Sequence, residues 1–151
     1  MESRWRIVTS SIGLLILRLG VGGYMLTHGW GKLQMLIAGD FESFGDPIGL
    51  GKAPSLVLAT SAEFFCAILV MVGLATRFAA VPLVITMAVA AFVVHANDPW
   101  IMGQGLSKEP AMLYLIPFLA LIFTGAGRFS IDGLISLGCC RRGNKDKAAT
   151  S

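Results

Sequence analysis

The chain has 151 residues, of which 55% are hydrophobic and only 14% are charged. Ordinary soluble domains carry about a quarter charged residues, so this composition disfavours a soluble fold and is typical of an integral membrane protein of one domain. The formal net charge is +3, and the basic residues lie at the ends of apolar stretches rather than on one basic face, which disfavours nucleic-acid binding.

Four apolar stretches predict four transmembrane helices. At 1.5 Å per residue each is long enough, or nearly so, to cross a hydrocarbon layer about 30 Å thick, and a helix satisfies its own backbone polar groups, as lipid requires. The predicted fold is an all-α bundle of four transmembrane helices over residues 1–138, and we expect the polar, basic tail over 139–151 to be disordered. The predicted spans run from about Ile7 to Trp30, Ser55 to Ala75, Phe78 to Val94 and Ala111 to Ala126.

Lys and Arg residues predict the orientation of this bundle. With four spans, both termini share a side with the turn at residues 75–77, and that side carries eight Lys and Arg residues against three on the other. The side richer in Lys and Arg is normally cytoplasmic. We therefore expect both termini in the cytoplasm and the protein in a bacterial inner membrane.

Two charged residues interrupt the apolar stretches and have opposite signs. Arg18 lies inside the first stretch and Glu63 inside the second. A charge at mid-membrane depth costs roughly 3 kcal/mol on insertion scales and usually marks a pathway or a site. Counted along their helices, the two residues lie at similar depths, so we predict an Arg18–Glu63 salt bridge. The structural alternative is that such a pair only locks the helices together.

Further polar residues gather at the predicted outer ends of the helices. The spacing of His28 and Lys32 places them on one face of the first helix. Histidine titrates near neutral pH and suits proton exchange. We predict catalytic roles for Arg18, Glu63, His28 and His95, and substrate-binding roles for Lys32, Tyr24, Glu109 and Tyr114.

Simpler roles remain open for several of these residues. Tyr24 can anchor the helix at the membrane interface, Lys32 can extend its ammonium to water, and Glu109 before Pro110 suits an ordinary helix start. No two metal-ligand residues have a tight spacing, so we expect no metal site. Three cysteines without CxxC spacing predict no disulfide scaffold, and the role of Cys139 and Cys140 stays open.

Three segments together resemble the DoxX family of small four-helix membrane proteins. They are LRLGVGGYMLTHGWGKL at Leu17–Leu33, AEFFCAILVMVGLATRFAA at Ala62–Ala80 and GAGRFSIDG at Gly125–Gly133. The family pattern has an arginine and then H-G-x-x-K in the first helix, a glutamate in a second helix ending in G-L-x-T-R, and G-x-G-R-x-S-x-D after the fourth. The resemblance implies a redox-linked membrane role, because the family includes a terminal quinol oxidase subunit and proteins designated oxidoreductases.

The first hypothesis for function is a redox-linked membrane subunit with an outward-facing pocket for a quinone or a small sulfur compound. The sequence has no haem or iron–sulfur signature, so electrons would pass through a bound quinone or a redox partner protein. A homo-oligomer is also compatible with the sequence. Two alternatives stay open: a non-enzymatic scaffold or assembly partner of a larger complex, and a carrier for a small solute.

Overall fold

All the regular secondary structure in the described part of the protein is helical. The computed structural model describes residues 2–101 and 105–136, so the predicted tail, with Cys139 and Cys140, lies outside the described residues. No β-strand occurs in these two ranges, which confirms the all-α class. The helices are α1 (Glu2–Ala38), α2 (Lys52–Val72), α3 (Thr76–Val94) and α4 (Glu109–Thr124), and residues 131–136 are also helical.

Three of these helices are long and apolar enough to cross a membrane. The qualifying segments are Trp5–Ala38, Lys52–Val72 and Thr76–Val94. Helix α4 is apolar but has 16 residues, and at the helical rise it reaches only about 24 Å, less than the hydrocarbon layer. Three of the four predicted spans are thus confirmed as helices of sufficient length and apolar character to cross a membrane, whereas the fourth span and the orientation of the termini stay predictions.

Helix α1 contacts α2 along one narrow stripe. A Cβ atom placed on Gly29 would lie 2.5 Å from the carbonyl carbon of Glu63, so the two backbones touch at this point. Small residues allow such close approach between membrane helices. The stripe consists of buried positions spaced three or four residues apart, namely Arg18, Gly22, Met25 and Gly29.

The hydrophobic core lies between α2, α3 and α4. Val70, Leu83, Phe118 and Leu121 are completely buried there, and α3 packs mainly against α4. This packing fixes α2 and α3 beside each other, which is the arrangement on which the candidate site depends.

The segment after α4 closes one end of the bundle. The Asp132 carboxylate accepts hydrogen bonds from the backbone N–H groups of Ala75 and Thr76 at 2.7 and 2.9 Å, and the N–H of Asp132 donates to the carbonyl of Gly73 at 2.9 Å. Asp132 therefore satisfies N–H groups that the first turn of α3 leaves without helical partners. The aspartate of the G-x-G-R-x-S-x-D motif thus holds the turn between α2 and α3.

Candidate functional site

A partly buried ion pair lies where α1 meets α2. Lys32 Nζ is 2.5 Å from Glu63 Oε2, and the two side chains are 24% and 5% exposed. The contact of Gly29 with the backbone of Glu63 brings the helices together one turn before Lys32, so the ammonium reaches the carboxylate. Each charge supplies the partner that the other needs away from water.

The predicted pairing of Arg18 with Glu63 is wrong. Arg18 is completely buried, and its guanidinium donates to the carbonyl oxygens of Val70, Met71 and Phe129 at 3.3, 3.4 and 2.6 Å. Because Gly29 faces Glu63, Arg18 lies about 16 Å further along α1 at the helical rise. Counting residues from the ends of the apolar stretches placed both charges at one depth, but the crossing of α1 and α2 offsets them.

A mostly apolar pocket of about 450 Å³ opens beside this ion pair. Its volume falls in the range of small-molecule sites. Helices α2 and α3 form most of the wall, and the loop between α1 and α2 contributes Phe44, Pro47 and Ile48. The polar residues lining it are Lys32, Glu63, Ser55, Thr86 and His95.

Two π-helical segments border the pocket. Ser61–Cys66 in α2 contains Glu63, and Ala90–Val94 at the end of α3 leads directly into His95. Segments of this kind are rare in proteins and occur frequently at functional sites. Hydrophobic periodicity gave no signal for either segment, so the sequence did not predict this feature.

His95 forms a second polar pair at the pocket. Its Nδ1 lies 2.7 Å from Asp98 Oδ2, and the side chains are 23% and 30% exposed. A tight turn supports the pair, because the N–H of Asp98 donates to the carbonyl oxygen of His95 at 3.0 Å. The sequence analysis assigned a role to His95 but none to Asp98, which lies three residues further along the chain.

The other predicted residues lie away from the pocket lining. His28 is exposed, and its ring packs nearly perpendicular to the ring of Tyr114, with the two centroids 5.7 Å apart. Tyr24 is 70% exposed, and Glu109 lies in the first turn of α4. The structure therefore brings Lys32, Glu63 and His95 together, and it brings His28 and Tyr114 together elsewhere.

Asp46 anchors the loop that forms one wall of the pocket. Its carboxylate accepts hydrogen bonds from the N–H groups of Leu50 and Gly51 and from Ser55 Oγ, at 3.0, 2.8 and 2.9 Å. Desolvation by itself would raise the pKa of Asp46, but these hydrogen bonds together outweigh it and lower the pKa below its usual value. The loop is thus tied to the first turn of α2 by an ionised carboxylate.

Among the residues that the structure describes, no three His, Cys, Asp or Glu side chains lie close enough together to hold a metal ion.

Comparison with known proteins identifies the family. Residues 13–96 match the DoxX family. A Haemophilus influenzae relative named "Uncharacterized protein" is 31% identical, with 85% of this chain and 86% of the relative covered. The Bacillus subtilis relative "Putative oxidoreductase CatD" is 32% identical, with 84% of this chain and 90% of the relative covered. The "Uncharacterized membrane protein Rv3486" of Mycobacterium tuberculosis is 33% identical, with 82% of this chain and 81% of the relative covered. No solved structure matches significantly. The resemblance carried by the three motifs is thus confirmed, and the chain is an integral membrane protein of the DoxX family.

Proposed function

We propose that the pocket beside the Lys32–Glu63 pair binds a quinone and that the protein is a redox-linked membrane subunit. The observation that carries the proposal is a partly buried ion pair in the wall of a mostly apolar pocket of about 450 Å³. A quinone combines an apolar ring with two carbonyl oxygens, and it needs apolar walls with a few placed polar groups. The name of the relative CatD supports oxidoreductase chemistry.

The composition of the pocket favours a quinone over a small sulfur anion. The carboxylate of Glu63 offsets the charge of Lys32, so the pocket has little net attraction for an anion. An oxyanion would also lose its hydration against mostly apolar walls, and that loss costs more than it does for a neutral ring.

Each polar residue of the pocket has a distinct role in this proposal. Lys32 donates a hydrogen bond to one quinone oxygen, and Glu63 pairs with the ammonium and orients it. His95 exchanges a proton with the ligand. A bound quinone–quinol couple would supply two-electron, two-proton chemistry, and a redox partner protein would exchange the electrons with it.

We propose further that α4 is the fourth span and that both termini face the cytoplasm of a bacterial inner membrane. The pocket end of the bundle then faces outward and carries Lys32, Lys52 and Lys108, whereas the end closed by Asp132 carries Arg77 and Arg128. The test is to fuse a fluorescent reporter that matures only in the cytoplasm to either terminus of the protein. If the N-terminal fusion fluoresces and the C-terminal fusion does not, the termini lie on opposite sides and the number of spans is odd.

Binding of decylubiquinone to the purified protein in lipid nanodiscs tests the pocket. The double variant Lys32→Met/Glu63→Met replaces the ion pair by apolar groups of similar size, an exchange that usually leaves folding intact. We expect its Kd for decylubiquinone to rise at least tenfold. The matched control is Lys52→Met/Glu42→Met, because Lys52 Nζ and Glu42 Oε2 form an exposed pair of the same type at 2.6 Å.

The same preparation separates the alternatives. Equal affinity in the wild type and the Lys32–Glu63 variant would place any quinone site elsewhere. A protein that binds no quinone but carries a stoichiometric partner chain would be a scaffold. Uptake of a solute by vesicles that contain no electron acceptor would indicate a carrier.

A further inference from the structure

We infer that Asp98 positions His95 so that Nε2 of its ring accepts a proton from a hydroxyl group of the pocket ligand. The inference deepens the proposed function and rests on it for the identity of the ligand, a quinol. Its first support is geometric: Nδ1 of His95 lies 2.7 Å from Asp98 Oδ2, while His95 also lines the pocket.

The carboxylate determines which ring nitrogen is free. An ionised carboxylate has no proton to donate and can only accept hydrogen bonds, so with Asp98 ionised the Nδ1 atom of His95 carries the proton between them. In the neutral ring Nε2 then has the unshared electron pair. The turn that joins the N–H of Asp98 to the carbonyl oxygen of His95 holds the two side chains in register.

Charged groups on the neighbouring elements complete the surroundings of His95. Lys32 from α1 and Glu63 from α2 line the same pocket and neutralise each other. Lys108, which precedes α4, lies over the ring of Trp100 at 5.0 Å. Asp98 is therefore the acid paired directly with the ring, and it is the group placed to offset a positive charge there.

The step itself is a proton transfer. The O–H bond of the quinol breaks, an N–H bond forms at Nε2, and the ring becomes an imidazolium beside the Asp98 carboxylate. The bound ligand keeps the electron pair of the broken bond, so charge is conserved. Both side chains are partly exposed, so the proton can pass from Nε2 to water after the ligand leaves. Asp98 acts here as a positioning residue and does not touch the ligand.

Nitrogen NMR of histidine-labelled protein in nanodiscs tests the inference. The chain has only two histidines, and His28→Gln assigns the spectrum. At a pH where His95 is neutral, we expect its proton on Nδ1. Asp98→Ala should move the proton to Nε2, whereas Asp98→Asn, which keeps an acceptor oxygen, should restore the Nδ1–H form. His28, whose ring rests on Tyr114, should be unchanged in both variants.

Adding decylubiquinol to the wild type completes the test. Perturbation of the His95 Nε2 signal, without perturbation of His28, would support the proton-acceptor role. A proton on Nε2 in the unliganded wild type would overturn the inference, even if decylubiquinol binds. The inference would also be overturned if His95 carries its proton on Nδ1 but its Nε2 signal does not change when decylubiquinol binds. If decylubiquinol and decylubiquinone both fail to bind, the proposed function fails, and the proton-acceptor role fails with it.

Discussion

Gly29→Ala is a direct test of the contact that assembles the candidate site. The added Cβ would lie 2.5 Å from both the carbonyl carbon and the carbonyl oxygen of Glu63 and 2.7 Å from the nitrogen of Phe64, where ordinary contact begins at 3.4 Å. All three neighbours are backbone atoms, so no side chain can move aside. The helices must separate by about 1 Å, and overpacking of this kind typically costs about 1–3 kcal/mol.

Gly31→Ala is the matched control, because a Cβ at Gly31 meets nothing within 4 Å. Alanine is favoured over glycine inside a helix by roughly 0.5–1 kcal/mol, so this variant should be as stable as the wild type or more stable. Thermal unfolding in mild detergent measures both. In soluble domains of this size the Tm falls by about 2–4 °C for each kcal/mol of stability lost, so Gly29→Ala should lower the Tm by several degrees.

The same substitution should also weaken ligand binding. Lys32 lies one turn beyond Gly29, so separating α1 from α2 lengthens the contact between its ammonium and Glu63. We expect Gly29→Ala, but not Gly31→Ala, to raise the Kd for decylubiquinone. If the two variants unfold at the same temperature, the backbone contact between α1 and α2 is not where the structure places it, and the reasoning about the ion pair fails.

Three further predictions concern the anchoring groups. Asp132→Ala removes the acceptor for two N–H groups at the start of α3 and should lower the free energy of unfolding by about 1 kcal/mol or more, as the loss of other helix caps does. Chemical denaturation measures this change. Asp132→Asn keeps an acceptor oxygen and should retain part of the stability. Arg18→Met removes three hydrogen bonds of a buried guanidinium and should reduce the free energy of unfolding by several kcal/mol, since bonds to charged groups are worth roughly 1.5–3 kcal/mol each. Protein that still folds should bind decylubiquinone normally, and a selective loss of binding would restore the predicted catalytic role. The pKa of Asp46 is lowered in the folded protein, so the ionised carboxylate stabilises the fold fully above the ordinary carboxyl pKa near 4, and this stabilisation is lost as the pH falls through the lowered pKa. The rate of hydrogen exchange at residues 46–51 should therefore rise at low pH. Asp46→Asn should show the faster exchange already at neutral pH.

The sequence predicted which residues are unusual better than it predicted their partners. Arg18 and Glu63 were singled out because a charge in lipid is costly, and both are in fact buried. Their partners depend on how α1 crosses α2, which Gly29 determines through a backbone contact. The sequence of a Gly-rich membrane helix does not indicate which glycine contacts a neighbouring helix. The offset between Arg18 and Glu63 along the bundle could therefore not be predicted by counting residues.

The pocket was harder to predict for a second physical reason. The predictions assumed 3.6 residues per turn throughout, but Ser61–Cys66 and Ala90–Val94 are π-helical. One extra residue in a turn rotates everything beyond it by about 100° relative to the regular pattern. A regular helical pattern therefore misplaces the residues that follow each segment, and His95 follows the second segment directly. Its position in the pocket beside Lys32 and Glu63 could be anticipated only from its membership of the outer polar set.

The separation of Arg18 from the pocket changes how the two charges within the apolar stretches of this chain should be interpreted. Arg18 donates to carbonyls at the end of α2 and to Phe129, beside the Asp132 carboxylate that holds the turn into α3. A Cβ on Gly73 would collide with the Arg18 guanidinium, so that glycine is required there. Arg18 therefore links three motifs structurally at one end, while Glu63 pairs with Lys32 at the other. One charge holds the helices in place, and the other belongs to the pocket that this arrangement leaves open.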